Sequence, residues 1–171
     1  MSARSWDAPG STALAVPAPE AEPALAPLRR RVAHGVAGDV PAHVTLLVPF
    51  APLPVSRELD ALVASWRRAP FVLRRVRRWP GVVWLDPEPS APLVAMTCAL
   101  VAAFPAYRPY DGAHEDVIPH VTVATSEDDA ALDEIAAEAE RALPIACAGD
   151  TVELLERGDD LRWHVRRVWT L

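Results

Sequence analysis

Two segments of this chain carry a histidine and a threonine at the same spacing, each followed by an apolar residue: His43-Val44-Thr45-Leu46 and His120-Val121-Thr122-Val123. An imidazole, with its ordinary pKa near 6.5, exchanges a proton at neutral pH, and a hydroxyl donates a hydrogen bond to an anionic oxygen. Two imidazoles together suit in-line displacement at phosphorus. One takes the proton of the nucleophile and the other protonates the leaving group, each contributing on the order of 10²–10⁴ in rate. Thr45 and Thr122 would then donate to the non-bridging oxygens, where negative charge collects. The scheme requires no metal and no cofactor.

The two segments are parts of a longer self-match. Residues 39–46 align without gaps on residues 116–123, 77 positions later, with identities at Asp39/Asp116, Val40/Val117, His43/His120, Val44/Val121 and Thr45/Thr122. Each copy opens a strand after a helix and a loop, which points to two halves related by duplication and an approximate two-fold axis. On an extended strand alternate side chains share a face, roughly 6.6 Å apart. Each imidazole thus gains a hydroxyl beside it at about the width of a phosphate group. A lone His-x-Thr on a strand is ordinarily a packing feature. Two copies at equivalent places among strongly apolar neighbours are different, because each buried imidazole would otherwise cost a desolvation for nothing.

The elements that must hold these strands are legible from periodicity and punctuation. Strands are predicted at residues 12–18, 43–48, 71–76, 82–85, 120–124, 145–148, 151–155 and 161–168, with Trp79-Pro80-Gly81 and Gly158-Asp159-Asp160 as turns. Helices are predicted at residues 20–37, from Ser56 through Trp66, at 90–104 and at 126–143, the last with a capping-box-like start at Ser126 and Asp129. Residues 105–119 form a connection of about fifteen residues, the length at which a loop usually has a functional reason. Residues 1–11 read as a flexible tail and residues 12–171 as one domain. The pattern is a mostly antiparallel α+β fold.

Composition narrows the function classes. A chain of 171 residues, 51% apolar and 23% charged, fits one soluble domain and excludes a disordered or fibrous chain. Its 17 basic residues are all arginine, and the net charge of −6 excludes polyanion binding by bulk electrostatics, double-stranded DNA included. Residues 90–107 are uncharged, but Pro92 and Pro105 shorten the helical part below a membrane span, so a buried helix is expected. Arg4, Asp7, Pro17 and Pro19 interrupt any signal-peptide pattern, and a cytoplasmic monomer is expected. Cys98 and Cys147 lack a CxxC partner and are expected to be buried thiols.

Other side chains have two readings. Arg74, Arg75, Arg77 and Arg78 would either hold an RNA backbone or solvate an edge strand. Tyr107 and Tyr110, in the loop before the second motif, would stack a nucleobase or pack the loop, and His114 would line the cleft or sit on the surface. Trp79 and Trp84 read as core or hairpin residues rather than stacking platforms. A metal site built from His43, His114, His120 and Asp116 would lack HxxxH or HExxH spacing.

With both motifs on the page, the sequence resembles the 2H phosphoesterase superfamily, defined by two His-x-Thr/Ser-x motifs, and within it the 2′-5′ RNA ligase-like branch. The resemblance spans residues 12–171. It includes the early TALAVPAP segment, Pro49-Phe50 after the first motif and PYDGAHEDVIPHVTVA through the second, which are similar to bacterial members. It implies a bilobal α+β fold, two pseudo-two-fold-related antiparallel sheets flanked by helices, with a central cleft carrying one motif from each lobe. It further implies a metal-independent phosphodiesterase acting on 2′,3′-cyclic phosphates or 2′-5′ linkages of RNA or nucleotides, and in some members a reversible, ATP-independent ligation. His43 and His120 would be the acid/base pair, with Thr45 and Thr122 the phosphate donors. The alternatives are recruitment to another small phosphodiester and a nucleotide-binding module without turnover.

Overall fold

Every strand pairing in the computed structural model, which describes residues 5–32, 40–113 and 117–171, is antiparallel. The strands are β1 (Thr12–Pro17), β2 (His43–Phe50), β3 (Phe71–Trp79), β4 (Val82–Glu88), β5 (Val121–Thr125), β6 (Ile145–Cys147), β7 (Thr151–Arg157) and β8 (Trp163–Thr170). They form one eight-stranded sheet in the order β6-β3-β4-β5-β2-β1-β7-β8. Two separate sheets were the expectation. They are joined by a single bridge at the middle, where Val44 of β2 pairs with Val121 of β5. The two strands that open with the motifs are therefore neighbours.

The helices are α1 (Glu22–Val32), α2 (Arg57–Ala64), α3 (Ala91–Ala103) and α4 (Asp129–Arg141). All four contribute to one core with the inward side chains of the sheet, among them Leu25, Leu59, Leu93 and Leu132 against Val44, Leu46, Val121 and Val123. Alternation along β2 and β5 then turns His43, Thr45, His120 and Thr122 to the opposite face. That face carries a smaller apolar cluster, Ala13, Ala15, Val48 and Leu155, with Trp6, Tyr110 and Trp163 packed on it.

Local chemistry accounts for the element ends. Ser56 caps α2, its Oγ accepting from Leu59 N at 3.2 Å. α4 is capped by Asp128, whose Oδ1 accepts from Ala130 N and Ala131 N, and not by Ser126. Ser126 instead accepts from Asp128 N at 3.0 Å and fixes the cap itself. The expected helix at 20–37 is a 3₁₀ turn at Pro19–Ala21 followed by α1, and residues 33–37 lie outside the described residues.

Within residues 5–11, Ser5–Asp7 form a 3₁₀ turn, Gly10 N donates to Arg157 O, and Arg157 N donates to Ser11 O, both at 2.8 Å. Two further expectations are corrected. α3 buries only one face, with Leu93, Met96, Thr97 and Leu100 inward and the small Ala95, Cys98 and Ala102 outward. Its lack of charge reflects small residues on the wet side rather than burial all round, and Cys98 is exposed. Cys147 is buried, which pushes its thiol up to about 12. Among the described residues no helix is long and apolar enough to cross a membrane.

One glycine is required by geometry. Gly149, at φ +54°, sits between β6 and β7 where its carbonyl accepts from Ala69 N at 2.9 Å. A Cβ there would lie 2.0 Å from the backbone oxygen of Ala69. Gly149→Ala is expected to lose roughly 2–4 kcal/mol, from the left-handed backbone and the collision together. A urea midpoint equal to that of the unaltered protein would contradict this.

Candidate active site

The bridge at Val44 and Val121 sets the geometry of the site. Continued by one residue in each direction, the antiparallel register puts His43 opposite Thr122 and Thr45 opposite His120. Each imidazole thus has a hydroxyl on its own strand and another across the ladder. Alternation along the two strands puts all four side chains, together termed the cage, on the face of the sheet opposite α1–α4.

Both histidines are held in the same way. His43 Nδ1 lies 2.7 Å from Pro41 O, and His120 Nδ1 lies 2.8 Å from Ile118 O. A carbonyl oxygen only accepts, so in each case Nδ1 carries the proton and donates. Nε2 is the second nitrogen of each ring, and an imidazole nitrogen of this kind can exchange a proton. This repeated histidine-to-carbonyl bond, two residues back along the chain, follows from the self-match.

The surroundings of the two rings differ. Burial pushes the His43 pKa below its ordinary 6.5, and the nearby His120 and Arg29 act in the same direction, against the opposing pull of the Pro41 carbonyl and Glu22. These effects together favour the neutral form of His43. His120 lies against two indoles: the ring centroid of Trp79 is 4.8 Å away and that of Trp84 is 6.0 Å away, both edge-on, while the two indoles are 4.4 Å apart. Trp79 and Trp84 are hairpin residues, as expected, and they also form the wall behind the second histidine. Neighbouring positions on β4 and β5, with Trp84 opposite Thr122, bring this about.

A support that sequence reasoning missed lies behind His43. Glu22, in the first turn of α1, accepts through Oε2 from Ala42 N at 2.7 Å and through Oε1 from Arg29. Ala42 O in turn accepts from Ala18 N at 2.7 Å. The residue before the first histidine is thus fixed on both backbone groups. α3 secures the same strand by a buried hydrogen bond from Thr97 Oγ1 to Leu46 O at 2.9 Å.

Other expected site residues are distributed as follows. Tyr107 packs on Phe50 with ring centroids 5.4 Å apart and belongs to the main core, away from the cage. Tyr110 packs on Trp6 at 5.6 Å in the small cluster on the cage's face of the sheet. His114 and Asp116 lie outside the described residues. The four arginines of β3 are all paired with carboxylates: Arg74 and Arg75 with Glu88, Arg77 with Asp86, and Arg78 with Asp129 and Asp133. Their charge is largely spent within the protein, which favours the edge-strand reading; β6 pairs only with Phe71–Leu73 and leaves the arginine-bearing stretch on the outer side.

Two cavities flank the cage. One of about 440 Å³ borders His43, with Pro41, Glu153, Leu155, Trp163 and Val165 in its wall. Burial raises the Glu153 pKa there. The other, of about 560 Å³, opens beside Ile118 and Pro119 at the approach to His120. The cage therefore has room for substituents on both sides of a central group.

A family model described as the 2′-5′ RNA ligase superfamily matches residues 17–161. The chain belongs to this superfamily. As a member of the 2′-5′ RNA ligase superfamily, which groups with the 2H phosphoesterases, it carries the support that membership gives to a phosphodiesterase-type function. Solved structures agree on the fold. Escherichia coli LigT complexed with NADP⁺ superposes with a TM-score of 0.60 at 19% identity, over 95% of this chain and 98% of that one. LigT complexed with 3′-AMP gives 0.57 at 19% identity, over 96% and 99%. A protein described as a phosphoesterase gives 0.52 at 18% identity, over 96% and 99%. No curated protein sequence matched.

Proposed function

We propose that this superfamily member is a metal-independent phosphodiesterase that opens 2′,3′-cyclic phosphates, or cleaves 2′-5′ linkages, of RNA ends or nucleotides. The observation that carries the reading is the pair of Nδ1-anchored imidazoles brought together by the Val44–Val121 bridge, each with a threonine beside it. The nucleotides named in the LigT complexes support a nucleotide as substrate. The chemistry needs an acid, a base and donors to the non-bridging oxygens, and the four side chains supply all of them.

The unlike environments of the rings suggest how the work is divided. His43, in its neutral form, takes a proton from water through Nε2 as the water oxygen forms its bond to phosphorus. The bond from phosphorus to one ribose oxygen breaks in the same displacement, and His120, entering the step protonated on both ring nitrogens, gives that oxygen its proton from Nε2. Thr45 and Thr122 donate to the non-bridging oxygens as their charge grows. Joining of RNA ends would be the same displacement with a ribose hydroxyl of the second end in place of water: its oxygen bonds to phosphorus as His43 takes its proton, and the ribose oxygen of the cyclic phosphate leaves with a proton from His120.

The test is hydrolysis of a nucleoside 2′,3′-cyclic phosphate in excess EDTA, followed by phosphorus NMR. A ring-opened monophosphate is expected; absence of turnover, or turnover only on return of a divalent metal, overturns the reading. The pH dependence is a sharper check. A base with a lowered pKa remains competent further into acid, so the acidic limb of kcat/KM is expected below pH 6.5, the ordinary histidine value. A limb above that value would contradict His43 as the base.

A further inference from the structure

The two copies of the motif differ in the peptide group that holds each imidazole. His43 Nδ1 donates to Pro41 O, the carbonyl of the peptide group that joins Pro41 to Ala42, and the N–H of that same group donates to Glu22 Oε2, both at 2.7 Å. His120 Nδ1 donates to Ile118 O at 2.8 Å, but there the peptide nitrogen belongs to Pro119, which has no N–H. A carboxylate thus reaches the first histidine through a peptide group. The second histidine has no such route.

The link has an electronic consequence. Resonance joins the nitrogen and the oxygen of a peptide group, so an anion that accepts from the N–H leaves the carbonyl oxygen more negative, and hydrogen bonds in such a chain strengthen one another. An imidazole that gives one N–H to a stronger acceptor is more basic at its other nitrogen. His43 needs this support. Burial, His120 and Arg29 favour its neutral form, and a base that holds a proton too weakly is a poor one. Asp150 and Glu153 are the other acids near it, across the cavity of about 440 Å³. Glu22 itself stays charged: against the cost of burial, the hydrogen bonds from Arg29 and Ala42 N and the charges of Arg29 and Arg30 hold its carboxyl below the ordinary value.

We propose that Glu22 is a positioning residue that acts on His43 through the Pro41–Ala42 peptide group, holding the ring and strengthening it as the base of the reaction, while Pro119 denies His120 an equivalent relay and leaves it the acid. The assignment of base and acid rests on the phosphodiesterase reading. The relay itself does not. It also gives the one unlike pair at this place in the self-match, Ala42 against Pro119, a chemical meaning.

Glu22→Gln keeps the size of the side chain and removes its charge. In hydrolysis of a nucleoside 2′,3′-cyclic phosphate, kcat is expected to fall roughly 10-fold, the lower end of what the outer partner of a functional histidine is worth, with KM and the basic limb of kcat/KM unchanged. Loss of the carboxylate makes His43 harder to protonate, so the acidic limb is expected to move about 0.5 pH unit further into acid, less than the roughly 1–3 units of a charge in direct contact. Ala42→Pro gives the first copy the residue of the second and removes the linking N–H. It is expected to move the limb in the same direction and carries the test if Glu22→Gln does not fold. A fallen kcat with the acidic limb in place is what loosening alone produces, and it overturns the proposal, as does a limb moved toward neutral pH. NMR titration of the histidines needs no turnover: His43 is expected to titrate about 0.5 pH unit lower in Glu22→Gln than in the unaltered protein, and an unmoved His43 overturns the relay. An unaltered protein that hydrolyses no cyclic phosphate overturns the phosphodiesterase reading, and the titration then decides the relay by itself.

Discussion

Alanine at His43 or at His120 is expected to lower kcat for a nucleoside 2′,3′-cyclic phosphate by about 10²–10⁴. Either change removes one end of a proton relay that needs both. The double variant is expected to lie close to the weaker single variant rather than at the product of the two losses, because groups that act as a unit are far from additive. The pH profile separates the roles: the variant lacking the base loses the acidic limb of kcat/KM and the variant lacking the acid loses the basic one. Neither substitution opens the main core, since Val44 and Val121 hold the strands from the other face. Circular dichroism and a melting curve establish that the loss is chemical. Single variants that keep more than about a tenth of the activity would contradict general acid–base catalysis by this pair.

Valine at Thr45 or at Thr122 keeps the shape of the side chain and removes only the hydroxyl. Donors aimed at oxygens that gain charge in the transition state are worth about 10²–10³ in kcat each, and losses of that order are expected here. The threonine variants should keep both limbs of the pH profile, because neither hydroxyl titrates in the working range. That difference distinguishes a donor from a proton carrier. A KM increase with kcat unchanged would instead assign the hydroxyls to uniform binding of the phosphate.

The motif residues were legible because their signal is local and repeated. His43 and Thr45 are two positions apart on a strand, and the same spacing recurs at His120 and Thr122. Alternation alone predicts their shared face, and the burial pattern of β2 and β5 follows it. Ser56 as a helix cap and the β3–β4 hairpin were legible for the same reason, each being decided by residues a few positions apart.

What escaped the sequence depends on contacts between distant segments. Trp79 and Trp84 look like hairpin residues until β4 pairs with β5 and brings them to His120, which lies 36 positions beyond Trp84 in the chain. Glu22 reads as an ordinary first-turn acid, yet its carboxylate holds the backbone at Ala42. The union of two expected sheets into one turns on the single Val44–Val121 bridge, which no periodicity encodes. Alternation along β4 did contain a usable signal: Trp84, Asp86 and Glu88 share a face with one another, and that face proves to be the wall of a cavity. For α4, both Ser126 and Asp128 are good capping types, and their competition is settled by the hydrogen bond that Ser126 Oγ accepts from the Asp128 backbone N–H.

The central claim is geometric: two imidazoles from separate strands act on one phosphorus through their Nε2 atoms. A crystal structure of the protein with a nucleoside 2′-monophosphate measures this directly. The expected result is a phosphate within hydrogen-bonding distance, about 2.7–3.2 Å, of both His43 Nε2 and His120 Nε2, with the hydroxyls of Thr45 and Thr122 on its non-bridging oxygens. A phosphate bound elsewhere on the protein, or touching one histidine while the other turns away, would contradict it.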